Sequence, residues 1–314
     1  MKKPSIVVVG SSNTDMIVRV KRLPRAGETV LGKELLTAAG GKGANQAIAA
    51  ARAGGMVTFI ARVGCDDLGD KAIEGLRSDG MDLAYVARDR HAPSGAALIF
   101  VAWSGENAIA VASGANARLS PADVRKARGV IARAKVLLMQ LETPLETSMA
   151  AARLADSKGA LVILNPAPAQ SLPDELLRSV SILTANESEA QILTGTRING
   201  SHAAEEAAKQ LLRRGARTVI LTLGAKGALI ATREGTQLVP GFLVKAVDAT
   251  AAGDVFNGAL AVALTEGEEL EQAVRFANAA AALSVTRMGA QPSAPMRGEI
   301  ERLLKRHGAK GRRS

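Results

Sequence analysis

Short apolar runs alternate with longer amphipathic segments along most of the 314-residue chain. The first run, residues 5–10, is typical of a strand that is buried on both faces of a parallel sheet. Similar runs predict strands at 57–63, 136–141, 161–164, 181–184 and 218–223, with a β-rich stretch at 228–247. Helical spacing of the apolar residues predicts helices at 44–53, 68–78, 121–134, 145–157, 187–193, 203–214, 255–265 and 270–286. Because strands and helices alternate, we expect an α/β fold whose mostly parallel sheet has helices on both faces.

Four other strand-like segments have no helical intervals between them, at 16–20, 28–38, 96–103 and 107–112. We expect them to form a small antiparallel sheet that is set apart from the main body. The first of them lies where a dinucleotide-binding chain would have Gly-x-Gly-x-x-Gly and a helix, which argues against that kind of site. We therefore assign residues 11–39 and 94–113 to the small sheet, and residues 1–10, 40–93 and 114–314 to the α/β domain.

The composition narrows the classes of function. Hydrophobic residues make up 47% of the chain and aromatic residues only 2%, so the core must consist of Ala, Val, Leu and Ile. A net charge of +10 would suit a polyanion, but it concentrates only at 297–313, which we expect to be a solvated tail. With one Tyr and one Trp there is no platform for stacking bases, so we expect no nucleic-acid binding. Cys65 is the single cysteine, and the three histidines lack ligand spacing. No apolar stretch is long enough for a signal peptide or a membrane span, so we expect a soluble, cytoplasmic protein.

The segment 247–258 holds the strongest candidate for chemistry. It follows a strand-like run at 241–247 and leads into the predicted helix at 255–265. The small residues Ala251, Ala252 and Gly253 leave backbone N–H groups open at the positive end of the helix dipole, where an anion can bind. Asp254 stands where a carboxylate could take a proton from a hydroxyl group. Taken alone, the segment is better explained by an ordinary Asp near a helix start with a tightly packed glycine.

A glycine-rich turn and a set of polar residues suit a small polar ligand. Residues 40–46 are not a Walker A loop, because Lys42 is followed by Gly43 rather than by Ser or Thr. The glycines would let the backbone approach a ligand, or they could form a flexible hinge. Carboxylates and amides of the kind that bind neighbouring sugar hydroxyls occur at Asn13, Asp15, Asn45 and Glu142. Any one of these four could instead cap a turn.

Three later segments have both a structural and a functional interpretation. Asn186 and Glu189 fit a capping box, but Glu189 could also lie near a hydrated Mg²⁺ that is bound to phosphates. Residues 222–227 form a strand end and a tight turn that could pack against a nucleotide. The loop at 287–293 could ligate a monovalent cation through its carbonyls and the Ser293 hydroxyl, together with Asp248. We expect residues 165–169 to form a rigid loop and assign no chemistry to it.

Together these motifs resemble the ribokinase family of carbohydrate and nucleoside kinases. The resemblance runs from Gly10-Ser-Ser-Asn-Thr-Asp15 to Gly289-Ala-Gln-Pro-Ser293, and the two family signatures correspond to the region of 40–41 and to 248–258. It implies a Rossmann-like α/β domain with a β-sheet lid, a homodimer formed through the lid, and ATP-dependent phosphorylation of D-ribose at O5. The alternatives are a kinase for 2-deoxyribose or a nucleoside and a sugar-binding regulator without catalysis. Retention of Asp254, Lys42 and the anion hole argues against loss of catalysis.

The resemblance also implies roles for individual residues. Asp254 would be the base, and Ala251, Ala252 and Gly253 would form an anion hole. The sugar would be bound by Asn13, Thr14, Asp15, Gly41, Lys42, Gly43, Asn45 and Glu142. ATP would lie along Asn186, Thr222, Leu223, Gly224, Ala225, Lys226, Gly227, Gly253 and Asn278. A K⁺ site would consist of Asp248, Thr250, Ser284, Arg287, Gly289 and Ser293, and Glu189 would bind Mg²⁺ through water. The chain departs from the family at Ala251, where many members have Gly, at Ala249, where Thr is common, and at Asn278, where ribokinases often have His.

Overall fold

The computed structural model describes residues 5–310, with side chains through residue 307. The strands are β1 Ser5–Val9, β2 Asn13–Val20, β3 Gly32–Gly40, β4 Met56–Gly64, β5 Asp82–Asp89, β6 Gly95–Ala102, β7 Asn107–Ala112, β8 Val136–Met139, β9 Leu161–Leu164, β10 Ile182–Asn186, β11 Thr218–Thr222, β12 Gly227–Ala231 and β13 Thr236–Pro240. The helices are α1 Lys42–Arg52, α2 Asp67–Ser78, α3 Pro121–Lys126, α4 Arg128–Ile131, α5 Leu145–Asp156, α6 Asp174–Arg178, α7 Glu187–Thr194, α8 Ser201–Arg213, α9 Ala252–Glu266, α10 Leu270–Ser284 and α11 Arg297–Lys310. None of the helices within this part of the chain is long and apolar enough to cross a membrane.

A nine-stranded sheet forms the centre of the fold, with the strand order β13-β12-β11-β10-β9-β8-β1-β4-β5. The strands from β11 to β5 are parallel, and only β12 and β13 pair antiparallel. Both faces of β1 are buried, which explains its continuous apolar run. Ile6 and Val8 pack in the core that includes α1, α9 and α10, whereas Val7 and Val9 pack in the core that includes α5 and α8. The predicted α/β fold with helices on both faces is confirmed. Because the parallel strands end at one edge, the loops after them converge there.

The small sheet is also present, with the strand order β3-β2-β6-β7. Its outer pairs are antiparallel, but the central pair, β2 and β6, is parallel. The prediction of a purely antiparallel sheet was wrong in this respect. β2 and β6 each continue from a parallel strand of the large sheet, β1 and β5, and they enter the small sheet side by side, with Asn13 opposite Gly95. They therefore run in the same direction. The exact boundaries of the two domains stay a prediction.

Three local expectations were wrong. No strand forms at 241–247: the antiparallel hairpin ends at Pro240, and beyond it Phe242 and Val244 pack their side chains on the core without a partner strand. The helix expected at 121–134 is divided into α3 and α4 at Ala127, where the backbone leaves the helical region. Residues 297–310 form α11 rather than a solvated tail, because Ile300 is fully buried in the core. Residues 311–314 lie outside the described part of the chain. The sequence also did not predict β5 and α6.

Candidate active site

Two helices that begin at the same edge of the large sheet bring the candidate residues together. α1 and α9 pack closely because Gly258 has no side chain: a Cβ there would lie 2.6 Å from the carbonyl oxygen of Gln46 and 2.7 Å from the Cβ of Ala49. This close packing places the first turn of α1 beside the first turn of α9. As a result, Asn45 and Gln46 both contact the carboxylate of Asp254.

The glycine-rich turn that precedes α1 is packed against the end of β1. Gly41 has a φ of 89°, a conformation that favours glycine, and an added Cβ would lie 2.7 Å from the backbone nitrogen of Asn13. A Cβ at Gly43 would lie 2.6 Å from the carbonyl carbon of Gly10. These contacts explain the glycines by close backbone packing, so a flexible hinge is not needed to account for them.

Asp254 is 5% exposed, and both of its carboxylate oxygens accept hydrogen bonds. Gln46 Nε2 donates to Oδ1 at 2.9 Å, and Asn45 Nδ2 donates to Oδ2 at 3.0 Å. Burial raises the pKa of Asp254, although the charge of Lys42 and the two amide donors oppose this rise. For Lys42, burial acts to lower the pKa, but the carboxylates of Asp254, Glu142 and Glu189 outweigh this and raise it. The Lys42 ammonium group therefore stays protonated near several carboxylates.

Glu142, one of the residues predicted to hold a sugar, lies near Lys42, and Asp15, another of them, lies near Glu142. Glu142 Oε2 accepts hydrogen bonds from the backbone nitrogen of Lys42 at 2.9 Å and from Ser11 Oγ at 2.5 Å. Asp15, in β2, lies close enough to Glu142 to be affected by its charge. Burial, and next the charge of Glu142, raise the pKa of Asp15 to about 6. Thr14 is the half-buried neighbour of Asp15 in β2.

Asn13 has a fixed orientation. Its side chain is 5% exposed, and its Oδ1 accepts a hydrogen bond of 2.7 Å from Asn116 Nδ2. Asn116 is itself held by Ser12, because its Nδ2 donates to the Ser12 carbonyl and its Oδ1 accepts from the Ser12 nitrogen. Since the oxygen of Asn13 is occupied by Asn116, the NH₂ group is the end that Asn13 presents to a ligand. The sequence did not point to Asn116.

Two adjoining cavities open at the start of α9. The smaller cavity, of about 220 Å³, is lined by Lys42, Asn165, Thr184, Ala185, Asn186, Glu189, Thr222, Ala249, Ala251, Ala252, Gly253, Asp254 and Asn257. The larger cavity, of about 460 Å³, shares five of these residues, namely Asn186, Thr222, Ala249, Ala252 and Gly253. It extends over Gly224, Ala225, Gly227 and Asn278 and is mostly apolar, as expected for a site that takes an aromatic base. The polar cavity and the apolar cavity together have room for an extended ligand.

The first turn of α9 begins with a left-handed residue and is open at Gly253. Ala251 is the N-cap and has a φ of 58°, the left-handed conformation that non-glycine residues rarely adopt. No atom lies within 4 Å of the position that a Cβ would occupy at Gly253, so the helix start is open on that side. The Ala252 N–H donates to the Ala249 carbonyl at 3.2 Å, whereas the N–H of Gly253 has no acceptor within the helix and lies at the positive end of the helix dipole. The anion hole expected at Ala251, Ala252 and Gly253 stays a prediction.

Asn186 and Glu189 form the expected capping box at the start of α7. Asn186 Oδ1 accepts a hydrogen bond of 2.8 Å from the Glu189 nitrogen, and Glu189 Oε2 accepts one of 2.9 Å from the Asn186 nitrogen. Both residues also line the smaller cavity, and burial raises the pKa of Glu189. The capping role therefore does not exclude the functional role.

The remaining nucleotide and cation candidates are only partly brought together. Leu223 and Lys226 flank the larger cavity without lining it, and Asn278 uses its Nδ2 to donate to the carbonyls of Val239 and Pro240. Around Asp248, Oδ1 accepts from both the nitrogen and the hydroxyl of Thr250, and Oδ2 accepts from the Gly289 nitrogen at 2.8 Å. The other three side chains of this set have partners elsewhere: the hydroxyls of Ser284 and Ser293 donate to carbonyls of their own turns, and Arg287 pairs with Glu299. Arg287 could contribute only its backbone carbonyl to a cation site, whereas the two hydroxyl oxygens donate their protons elsewhere and keep lone pairs for a cation.

Several buried polar residues of the site were not predicted. Gln46, Gln140, Asn165, Thr184 and Asn257 form hydrogen bonds with one another or with Asp254. Asn165, which belongs to the loop that was assigned no chemistry, lines the smaller cavity. The available signal was a polar side chain at or near the carboxyl end of an apolar strand, as for Gln140 after β8 and Asn165 after β9.

The fold and the site define an α/β protein with a buried carboxylate at an open helix start, where a polar cavity adjoins an apolar one. Comparison with known proteins agrees. The model of the pfkB family of carbohydrate kinases matches residues 3–297. The ribokinase of Haemophilus influenzae is 44% identical over 302 residues, which cover 96% of this chain and 99% of the relative. The deoxyribokinase of Salmonella typhimurium is 38% identical over 291 residues, which cover 92% and 95% of the two chains.

Solved structures show the same relationship. The structure of Arabidopsis thaliana ribokinase complexed with ribose and ATP has a TM-score of 0.90 and 35% identity, and it covers 96% of this chain and 99% of that one. The protein therefore belongs to the pfkB family of carbohydrate kinases. The family resemblance predicted from the sequence motifs is confirmed.

Proposed function

We propose that the protein is an ATP-dependent ribokinase, which converts D-ribose and ATP to D-ribose 5-phosphate and ADP. The observation that carries the proposal is the position of Asp254. Its buried carboxylate lines the smaller cavity at the open start of α9, next to Lys42, and lies close enough to Glu142 for the charge of that residue to affect it. The names of the relatives, which include a ribokinase structure with ribose and ATP, support the choice of substrates.

In the proposed reaction, Asp254 takes the proton of the ribose 5-hydroxyl. The sugar oxygen forms a bond to the γ-phosphorus as the bond between that phosphorus and the β–γ bridging oxygen breaks, and ADP leaves with the electron pair. The amides of Ala251, Ala252 and Gly253 stabilise the negative charge on the transferred group, and Lys42 adds a fixed positive charge in the same cavity. Burial of Asp254 raises its proton affinity, which makes the carboxylate a stronger base.

The residues present fit Mg²⁺, which would neutralise phosphate charge when bound. Among the residues with described side chains, no group of three or more His, Cys, Asp and Glu is placed to hold a metal by itself. Phosphate oxygens and water would therefore supply most ligands, with Glu189 accepting from that water. For K⁺, Asp248 supplies a carboxylate that accepts hydrogen bonds from the backbone nitrogens of Thr250 and Gly289, and carbonyls of the loop at 287–293 would complete a set of hard oxygen donors. We propose that this site shapes the backbone that leads into the anion hole.

The substrate within the class depends on Asn13. A deoxyribokinase is also among the relatives at 38% identity, so family membership alone does not decide between the two sugars. By resemblance, the amide of Asn13 faces the 2-hydroxyl of ribose. Asn116 holds the oxygen of that amide, so a hydrogen-bond donor is presented to the sugar. A 2-hydroxyl can accept this hydrogen bond and a 2-deoxy carbon cannot, which favours ribose.

We further propose that the small sheet, within residues 11–39 and 94–113, is a lid and that two copies of the chain pair through it. Exposed apolar side chains occupy both faces, with Leu36 and Ile109 on the face of Asp15 and Leu35 and Leu98 on the other. Such a sheet needs a cover on each face. Light scattering should give twice the chain mass, and Leu98→Glu should lower it while leaving the sugar-binding face intact. A wild-type mass of one chain would contradict the dimer.

The experiment that tests the function is ADP release with ribose, 2-deoxyribose, a hexose and a nucleoside, with identification of the phosphorylated product. We expect the highest kcat/KM for ribose and phosphate on O5. Asp254→Asn keeps the shape of the side chain but removes the base, which contributes roughly 10²–10⁴ in rate. Turnover with a nucleoside alone, or a wild-type rate in Asp254→Asn, would contradict the proposal.

A further inference from the structure

A chain of buried amides reaches the carboxylate of Asp254, and Gln46 stands at its centre. Gln46 has no exposed surface, so it does not contact a substrate. Its Nε2 donates to Asp254 Oδ1 at 2.9 Å and to Asn165 Oδ1 at 3.1 Å. Its Oε1 accepts a hydrogen bond of 2.6 Å from Gln140 Nε2. We propose that Gln46 is a positioning residue that holds the Asp254 carboxylate ionised and in the orientation needed for proton transfer.

The orientation of the Gln46 amide is fixed by its three partners. Both protons of Nε2 point to acceptors, one of which is a carboxylate with no proton to donate. If the amide were turned by 180°, its oxygen would face Asp254 Oδ1 and Asn165 Oδ1, and its nitrogen would face the donor Gln140 Nε2. The Gln46 amide therefore has a single favourable orientation, in which its Nε2 donates to Asp254.

The network returns to the helix that carries Asp254. Asn165 Nδ2 donates to the carbonyl of Thr184 at 3.0 Å, and Thr184 Oγ1 donates to Asn257 Oδ1 at 2.6 Å. Asn257 Nδ2 then donates to the carbonyl of Gly253 at 2.8 Å. Because Gly253 immediately precedes Asp254, the hydrogen bonds form a closed ring through α1, the ends of β9 and β10, and the first turn of α9. The same ring thus fixes the carboxylate and the backbone of the anion hole relative to each other.

The donor from Gln46 bears directly on the charge of Asp254. A buried carboxyl group tends to stay protonated, and a protonated Asp254 could not accept the proton of a hydroxyl group. Gln46 opposes this tendency because it bonds to the ionised form, and Asn45 donates to the other oxygen. The positive charge of Lys42 also favours the ionised form, whereas the charge of Glu142 disfavours it. Loss of the Gln46 donor should therefore raise the pKa of Asp254. This inference depends on the proposed role of Asp254 as the base.

The test measures kcat and KM for ribose phosphorylation against pH in Gln46→Met and Gln46→Glu. In Gln46→Met, we expect kcat at neutral pH to fall about ten- to a hundredfold and the acid limb to move up by about one pH unit or more. Gln46→Glu keeps the side-chain shape but places a second carboxyl group beside Asp254, so its limb should move further. The affinity for ribose, measured by calorimetry, should stay within about threefold of wild type, because Gln46 does not touch the sugar.

Gln210→Met provides a matched control. Gln210 is partly buried on α8, and its Nε2 donates to Thr196 Oγ1 rather than to a residue of the site. This variant should retain the wild-type pH profile. A fall in kcat without any movement of the acid limb, or a loss of ribose affinity of the same size, would assign Gln46 to packing alone and overturn the proposal.

Asp254→Asn, measured in parallel, separates this inference from the function on which it rests. If Asp254→Asn is inactive while both Gln46 variants keep the wild-type kcat and pH profile, Gln46 is not a positioning residue, although Asp254 remains the base. If Asp254→Asn keeps the wild-type rate, the proposed function itself is wrong, and the argument for Gln46 fails with it.

Discussion

The NH₂ group of Asn13 provides the sharpest test of sugar specificity. We predict that ribose is preferred over 2-deoxyribose and that Asn13→Met removes most of the preference. Asn13 is 5% exposed, and its oxygen is held by Asn116, so the side chain cannot turn to satisfy its NH₂ group in another way. When 2-deoxyribose is bound, this donor faces a carbon atom and stays unpaired.

The size of the preference follows from the cost of that unpaired donor. A buried donor without a partner costs about 1–3 kcal/mol, which corresponds to about ten- to a hundredfold in kcat/KM. In Asn13→Met the donor is absent for both sugars. The preference should then shrink to within about threefold, mainly because ribose is bound less well. Asn116 keeps its two hydrogen bonds to Ser12 in this variant, so the surrounding turn should stay in place.

The assay is the measurement of kcat/KM for both sugars with wild type, Asn13→Met and Asn107→Met. Asn107 is exposed in β7 of the same small sheet and serves as the control for an amide-to-thioether change outside the site. The control should keep the wild-type ratio. Equal kcat/KM values for the two sugars with wild type would refute the reasoning and favour a deoxyribokinase.

Four further predictions follow from the site. Ala251→Gly should stabilise the fold by about 0.5–1 kcal/mol. Relief of the left-handed strain at this residue is worth about 1–2 kcal/mol, which outweighs the entropy of about 0.4–1 kcal/mol that glycine adds to the unfolded chain. Chemical denaturation measures the free energy of unfolding, and an unchanged or lower value would contradict the prediction. Since the pKa of Asp15 is raised to about 6, protonation of Asp15, which we propose to bind the sugar, should lower kcat/KM for ribose as the pH falls below that value. Because its pKa is raised, ionised Asp15 destabilises the fold above about pH 6. Asp15→Asn should therefore increase Tm at neutral pH, and this increase should shrink in acid. A difference in Tm that does not change with pH would contradict the prediction. K⁺ should activate and Na⁺ should do so poorly, and identical rates in potassium, sodium and tetramethylammonium salts would exclude the proposed cation site at Asp248.

The local patterns of the chain predicted those structural features that are determined by residues close in sequence. The apolar runs of β1 and β8 predicted buried parallel strands because both faces of these strands are covered, and the small residues before Asp254 predicted an open helix start. The pattern could not predict the parallel pairing of β2 with β6, since that pairing joins segments about 80 residues apart in sequence through the path of β1 and β5. It also could not separate an apolar strand from an apolar loop at 241–247, because only the presence of a partner strand distinguishes them.

The buried amides explain why sequence reasoning found Asp254 but not the residues that hold it. In the helical pattern of α1, Gln46 reads as one of the solvent-facing positions, yet it is completely buried. Burial of an amide is stable only when every polar atom finds a partner, and here the partners come from β8, β9 and α9, which lie 94 to 208 residues away in sequence. No local signal carries that information. The carboxyl ends of parallel strands bring such partners to one edge of the sheet. The hydrogen-bond partners of polar residues that directly follow apolar strands, such as Gln140 and Asn165, are therefore defined only once the sheet has assembled.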